Sequence, residues 1–365
     1  MAARLFRDVL PPALIFGAAA VLWVALFAVR AASGGDRFDF VRWEVQALPG
    51  AALYRLGAPL RTDPAADAAL AGYFALSDRS APASAALESA AEAAIAGRID
   101  AVLRAQGIGW PVPAPGTLFP PVNLELAAAP RALVVSPRAR IARVRTEALR
   151  PDFTFAAGET LERRIEADRT LSALVVGTGG IATYPAIVAS SEDYAGTVTA
   201  AAHEWVHHYL ALYPLGRAYF SGNAETINET VADVVGEEVA RLVIEHWGTP
   251  LAPPAARRPV IDATAVLRDL RIEVDALLAA GRIEDAERRM QTVRVQLDSM
   301  GVGIRRINQA YFAWYGTYAA RPDSIDPLGG QVRAARARAG SLARFLEQIR
   351  ALSTREEVAR LAGGS

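Results

Sequence analysis

From Val9 to Val29 the chain carries no charge at all: VLPPALIFGAAAVLWVALFAV. Wound as a helix, those 21 residues would span about 32 Å, close to the hydrocarbon thickness of a bilayer. The run is longer than the apolar core of a cleaved leader and contains Trp23, so it predicts an uncleaved transmembrane anchor within residues 1–33. Arg4, Arg7 and the amino terminus lie before the span, and Arg30, Arg37 and Arg42 follow it. The charge comparison is nearly balanced. A single N-terminal span ahead of a large body places that body, by general habit, on the extracytoplasmic side of a cell membrane.

Beyond the anchor the pattern changes three times. Residues 34–118 are Ala-rich, and APASAALESAAEAAIAGRIDAVLRAQG reads as helix. WPVPAPGTLFPP, Trp110–Pro121, is too rich in proline for either regular structure and predicts a rigid connector. Residues 119–247 then open with the strand-like runs VNLELAAA and RALVVSP. A helical piece is expected at Glu159–Arg169, followed by two strands around the Gly-rich turn Gly177–Gly180. Pro185 falls within the second of these runs. Proline cannot donate to a ladder, so Ile181–Val188 is predicted to be an edge strand. From Tyr194 onward the periodicity is helical: about 196–212, 223–246, 263–280, 283–299, 304–319 and 329–351. A second irregular connector, Gly248–Pro259, separates a helical C-terminal region, 260–365. Strands first and helices after is an α+β order.

Composition narrows the chemistry. Of 365 residues 52% are apolar and 21% charged, enough for a sizeable core. The formal net charge is zero, which leaves no electrostatic case for a nucleic-acid partner. All 39 basic residues are arginine, and there is no cysteine, which removes disulfides, thiol catalysis and Cys-based zinc sites.

Of four histidines, three sit in TAAAHEWVHHYLALYPL. His203 and His207 are four apart, one turn apart on one helix face, and can share a single cation. Glu204 lies beside that cation without having to bind it, so H-E-x-x-H offers two nitrogen ligands and a general base for an activated water. His208 lies about 100° further round the helix and should not reach the same ion. His246 ends a later helix, where a cation is favoured by the dipole. A third ligand is needed. NAETINETVADVVGEEV places Glu225, Glu229, Asp233 and Glu237 at intervals of four, a carboxylate stripe on a helix otherwise rich in apolar residues. A solvated acidic face is the plain alternative.

TINETVADVVG resembles the second zinc-binding helix of the thermolysin-like gluzincin metallopeptidases, which carry Asn-Glu-x-x-x-Asp after H-E-x-x-H. The resemblance covers residues 180–238. It implies a zincin-like core, a small sheet with an edge strand against two active-site helices, and one Zn2+ per chain held by His203, His207 and Glu229. It makes Glu204 the general base, Asp233 the residue that orients His203, and Ile181–Val188 the edge along which an extended peptide aligns. The separation of 22 positions between His207 and Glu229 is slightly long for that family. Glu225 is the alternative ligand, with Glu229 then in the orienting role. Glu-x-x-Ala-Asp also resembles the CAAX-prenyl-type membrane endopeptidases, which place it much farther from the His helix. The histidine that thermolysin-like enzymes use as an oxyanion donor has no counterpart after His246. Tyr311, Tyr315 and Tyr318, on one expected helix face, and Tyr219 are the candidates, with Tyr311 put first. The function so implied is that of a membrane-anchored zinc metalloprotease acting on peptide or protein. The alternative is a degenerate relative, a zinc-containing scaffold without turnover.

Overall fold

The computed structural model describes residues 35–47, 64–79, 84–109, 118–219, 224–251 and 263–363. The predicted anchor Val9–Val29 lies outside the described residues, as does most of each proline-rich connector. No helix among the described residues is long and apolar enough to cross a membrane.

The Ala-rich region supplies α1 (Pro64–Phe74) and α2 (Ala85–Ala105), which pack on each other. Strands follow: β1 (Leu124–Ala127), β2 (Arg131–Pro137) and β3 (Arg145–Leu149), then α3 (Phe155–Glu166), β4 (Leu171–Gly177), β5 (Gly180–Ile181) and β6 (Ala186–Ala189). The rest is helical: α4 (Tyr194–Leu210), α5 (Pro214–Ala218), α6 (Glu225–Trp247), α7 (Ala263–Ala279), α8 (Ile283–Ser299), α9 (Gln309–Tyr315), α10 (Leu328–Arg338), α11 (Leu342–Ile349) and α12 (Arg355–Leu361). The fold is α+β.

The strands form two small sheets. One is antiparallel, in the order β3-β2-β4. Its centre, RALVVSP, is apolar without alternation because both faces are covered. Leu133 and Val135 join Leu149, Phe153 and Val175 under α3, whereas Ala132 and Val134 face α7, α8 and α9. The α8 stripe of Ala286, Met290, Val293 and Leu297 follows helical spacing and is buried on that side. Each large apolar side chain so covered contributes about 1.5–3 kcal/mol.

The other sheet has the order β1-β6-β5. Here the edge-strand expectation needs correction. Ile181–Val188 is not one strand. Pro185 precedes the ladder, and β6 begins at the next residue as the central, fully buried strand, parallel to β1 and antiparallel to β5. Of this stretch only β5, two residues long, lies at an edge of the sheet, the other edge being β1. Proline's missing donor excluded it from the ladder without forcing its neighbours to the rim.

Helix α4 starts at Asp193, whose Oδ1 accepts the Gly196 N–H at 2.7 Å. It runs antiparallel to α6, and the two approach closely because Gly236 has no side chain. A Cβ there would lie 3.0 Å from the Thr199 carbonyl oxygen and 3.3 Å from His203 Cβ. These two helices share one core with α1, α2, α10, α11 and α12. The expected helix 329–351 is broken at Gly340, whose φ of 76° favours glycine. Ser341 then caps α11. The expected helix 304–319 shrinks to α9, capped by Asn308 and ended at Gly316.

Candidate metal centre

Two helices and two loops build the site. From α4 come His203, Glu204 and His207, and from α6 come Asn228, Glu229 and Asp233. His203 and His207 sit one turn apart, with the ring centroids 4.7 Å from each other. Their Nε2 atoms lie 3.0 Å apart. Glu229 Oε2 lies 3.2 Å from Nε2 of His203 and 3.6 Å from Nε2 of His207. Ligand atoms bound tetrahedrally at 2.0–2.1 Å to one zinc-like ion would stand about 3.3–3.4 Å from each other. The triangle of 3.0, 3.2 and 3.6 Å therefore fits a single small cation.

What holds the triangle in this orientation lies behind it. His207 Nδ1 is 2.7 Å from Asn228 Oδ1, and His203 Nδ1 is 3.1 Å from Asp233 Oδ1. Both oxygens act as acceptors, so each Nδ1 carries a proton, and with a cation bound between them each Nε2 would turn a lone pair toward it. Two lone pairs and a carboxylate oxygen converge on one point. A positive charge reconciles them, either a bound cation or a proton on one of the imidazoles. Charge compensation runs through the group. Burial disfavours a charge on His203, but the Asp233 and Glu229 carboxylates hold its pKa well above the usual imidazole value. Burial would likewise raise Glu229, yet the two imidazoles keep it well below the carboxylate range.

All four stripe carboxylates have a side-chain partner, three of them in or beside the cleft. Glu229 joins the histidines, Asp233 takes His203, and Glu225 is ion-paired with Arg143 in the cleft wall, outside the cation triangle. Glu237, one turn beyond, is exposed and reaches Arg333 at 3.1 Å.

Glu204 lies on the cleft side of α4, 6% exposed. Its carboxyl touches the edge strand, since a Cβ on Gly180 would lie 2.6 Å from Glu204 Oε1 and 2.8 Å from the Ile187 carbonyl oxygen. Only glycine fits there. Burial raises the Glu204 pKa, with His203 and His207 opposing. His208 points away from the triangle: its Nε2–H donates to the Thr183 carbonyl at 2.7 Å and its ring packs edge-on against Tyr184. Burial depresses its pKa to about 4. It thus pins the turn between β5 and β6. His246 is exposed at the end of α6, its ring edge-on to that of Trp247.

The comparisons with known proteins are silent. No protein-family model matches this chain, and no match is found among curated proteins or solved structures. The site therefore has to be read from its own geometry.

Tyr311 is not brought to it. That side chain is 6% exposed in the core between β2 and α7, α8 and α9, and packs on Tyr315. The expected common face of Tyr311, Tyr315 and Tyr318 fails because α9 stops at Gly316. Tyr318 lies on the following turn, its ring 6.4 Å from that of His203. The turn is tied to α6, where Ala319 N–H donates to Thr230 Oγ1 at 3.3 Å. Tyr219 approaches from the end of α5 and donates to Glu229 Oε1 at 2.7 Å. The sequence reading named both tyrosines as candidates but ranked neither first. For Asn228 it matched a motif position without seeing the bond to His207.

The triangle opens into a cleft of about 1240 Å³. Gly179, Gly180, Ile181, Arg143, Phe38 and Phe40 are among the residues that line it.

Proposed function

We propose that the protein is a zinc-dependent peptidase of zincin-like architecture, anchored in a membrane by Val9–Val29, that hydrolyses peptide bonds in the cleft beneath β5. The observation that carries this reading is Glu204. It is a buried carboxyl beside a three-ligand cation site, on the substrate side, and the cation group already has its own carboxylate in Glu229. A purely structural metal site has no use for it.

The residues fit zinc better than a hard cation, because two of the three ligand atoms are imidazole nitrogens and one is carboxylate oxygen. A zinc ion bound there supplies Lewis acidity and lowers the pKa of a water towards about 7. The side chains do the remainder. Asn228 and Asp233 keep the imidazoles in the tautomer that presents Nε2. Glu204 receives the water's proton on a carboxylate oxygen and returns it to the leaving amine. Its burial raises its pKa and makes it a better proton acceptor than an exposed glutamate. Tyr318 or Tyr219 offers a hydroxyl toward the oxyanion. Of the two, Tyr318 is favoured, because the Tyr219 hydroxyl is committed to Glu229. The two-residue β5 edge offers backbone groups to an extended peptide, which adds as a strand.

The test is a set of four variants. Glu204→Gln keeps one zinc per chain and loses hydrolysis of an unfolded protein substrate, whereas His203→Ala and Glu229→Ala lose the metal. Wild-type turnover in Glu204→Gln would end the proposal. Glu225→Ala keeps the metal; loss of zinc there would make Glu225 the third ligand.

A further inference from the structure

The segment that follows the predicted anchor does not hang from a remote corner of the body. It is built into the cleft. Asp36 accepts the Arg150 N–H on its carbonyl at 2.9 Å, and Phe38 N–H donates to the Ala148 carbonyl at 3.0 Å, so residues 36–38 extend the outer edge of β3. Arg37 grips Glu147 with two hydrogen bonds of 3.1 and 3.0 Å. Further on, Glu44 accepts the Tyr184 N–H at 2.9 Å, bracing the same β5–β6 turn that His208 holds. Phe38 and Phe40 line the cleft, as does Val144, which is 52% exposed.

Chain length then sets a bound. Phe38 is nine residues beyond Val29, and nine extended residues reach at most about 30 Å. The headgroup layer takes roughly 5–7 Å of that. Phe38, in the cleft lining, is thus tied to the end of the apolar run by at most about 30 Å of chain. Phe40 and Val144 are further apolar residues of that lining.

Resting on the peptidase reading above, we infer that the cleft is held against the membrane surface by its own tether. Its substrates are then polypeptides anchored in the same bilayer, cut in the extended stretch next to their membrane segment. A freely diffusing chain reaches this cleft less often than one that shares its surface.

The absence of cysteine makes the geometry directly measurable. The full chain, carrying Val144→Cys with a donor dye, is reconstituted in phosphatidylcholine vesicles containing acceptor lipid. Energy transfer is high, and it falls when 40 Gly/Ser residues are inserted between Gly34 and Gly35. Transfer that the insertion leaves unchanged, or a chain that washes off the vesicles, overturns the inference. In the second arm one cleavable peptide is offered free, or lipid-linked through spacers of increasing length. The wild type cuts short-spacer peptides at least tenfold faster than free peptide, and the insertion shifts the optimum to longer spacers. An optimum that does not move overturns the substrate class. Free peptide cut by the wild type and not by Glu204→Gln upholds the peptidase reading whatever the spacers show. No cleavage of either free or lipid-linked peptide by the wild type, with energy transfer behaving as expected, sinks that reading and leaves the membrane placement standing.

Discussion

Replacing Asn228 with alanine removes the acceptor that holds His207 in place and changes nothing that would touch the ion. Asn228 is 2% exposed, and its Oδ1 lies 2.7 Å from His207 Nδ1. Without that oxygen the His207 N–H has no acceptor in a buried setting, a cost of about 1–3 kcal/mol. The ring is also free to take the other tautomer, which would put a proton on the nitrogen that faces Glu229. Loss of such an outer hydrogen bond weakens metal binding about 10–100-fold, or about 1.4–2.7 kcal/mol. Zinc affinity, measured by competition with a chromophoric chelator, should fall by that factor in Asn228→Ala. It should be largely restored in Asn228→Asp, which keeps the acceptor. Urea unfolding of the metal-free proteins separates the structural cost from the effect on affinity. If Asn228→Ala folds and binds zinc within twofold of wild type, the orienting argument is wrong.

Tyr318→Phe is expected to lower peptide hydrolysis by about 10²-fold at unchanged zinc content, while Tyr311→Phe, buried in the other core, leaves turnover intact; equal losses in the two would remove Tyr318 from the chemistry. Gly236→Ala pushes a Cβ to 3.0 Å from the Thr199 carbonyl. It should cost about 1–3 kcal/mol in urea unfolding despite alanine's better helix propensity, and weaken zinc binding as well. Glu92 accepts the Leu126 N–H at 2.8 Å, and burial lifts its pKa to about 8. The folded state therefore keeps a proton that the unfolded chain releases near pH 4.5, and stability falls as the pH rises from there towards 8. Glu92→Gln should flatten that dependence, with a gain at pH 8 on the order of 3 kcal/mol over wild type; parallel stability–pH curves would refute it.

The first half of the metal site was legible because a four-residue spacing and one helical turn are the same fact, so His203 and His207 had to share a face. The stripe on α6 was legible as far as its period. The period alone did not say which carboxylate meets the histidines, because that depends on how far along its axis α6 sits against α4; the resemblance pointed to Glu229 over Glu225, and Glu229 is the one the structure brings there. Gly236 sets that position, and it gave no signal in a single sequence. The tyrosines were misranked for a local reason. Spacings of four and three imply one face only while the helix lasts, and α9 ends at Gly316, between Tyr315 and Tyr318. Pro185 was correctly read as unable to join a ladder, but a strand may begin at the next residue, as β6 does. Neither the bridge from residue 37 to Leu149 nor the bond between Glu44 and Tyr184 has a local signature, since more than a hundred positions separate the partners.

The antiparallel pairing of α4 and α6 has a consequence for the molecule's mechanics. Thr199 and His203 against Gly236, His203 against Asp233, and His207 against Asn228 are rungs of one ladder. Sliding either helix by a single residue, about 1.5 Å, misaligns every rung at once. The site behaves as a vernier, reading complete only at one setting of the two helices. Zinc occupancy then reports on packing far from the ion. A variant in the shared core that displaces α6 by part of a residue step should release metal before it measurably unfolds.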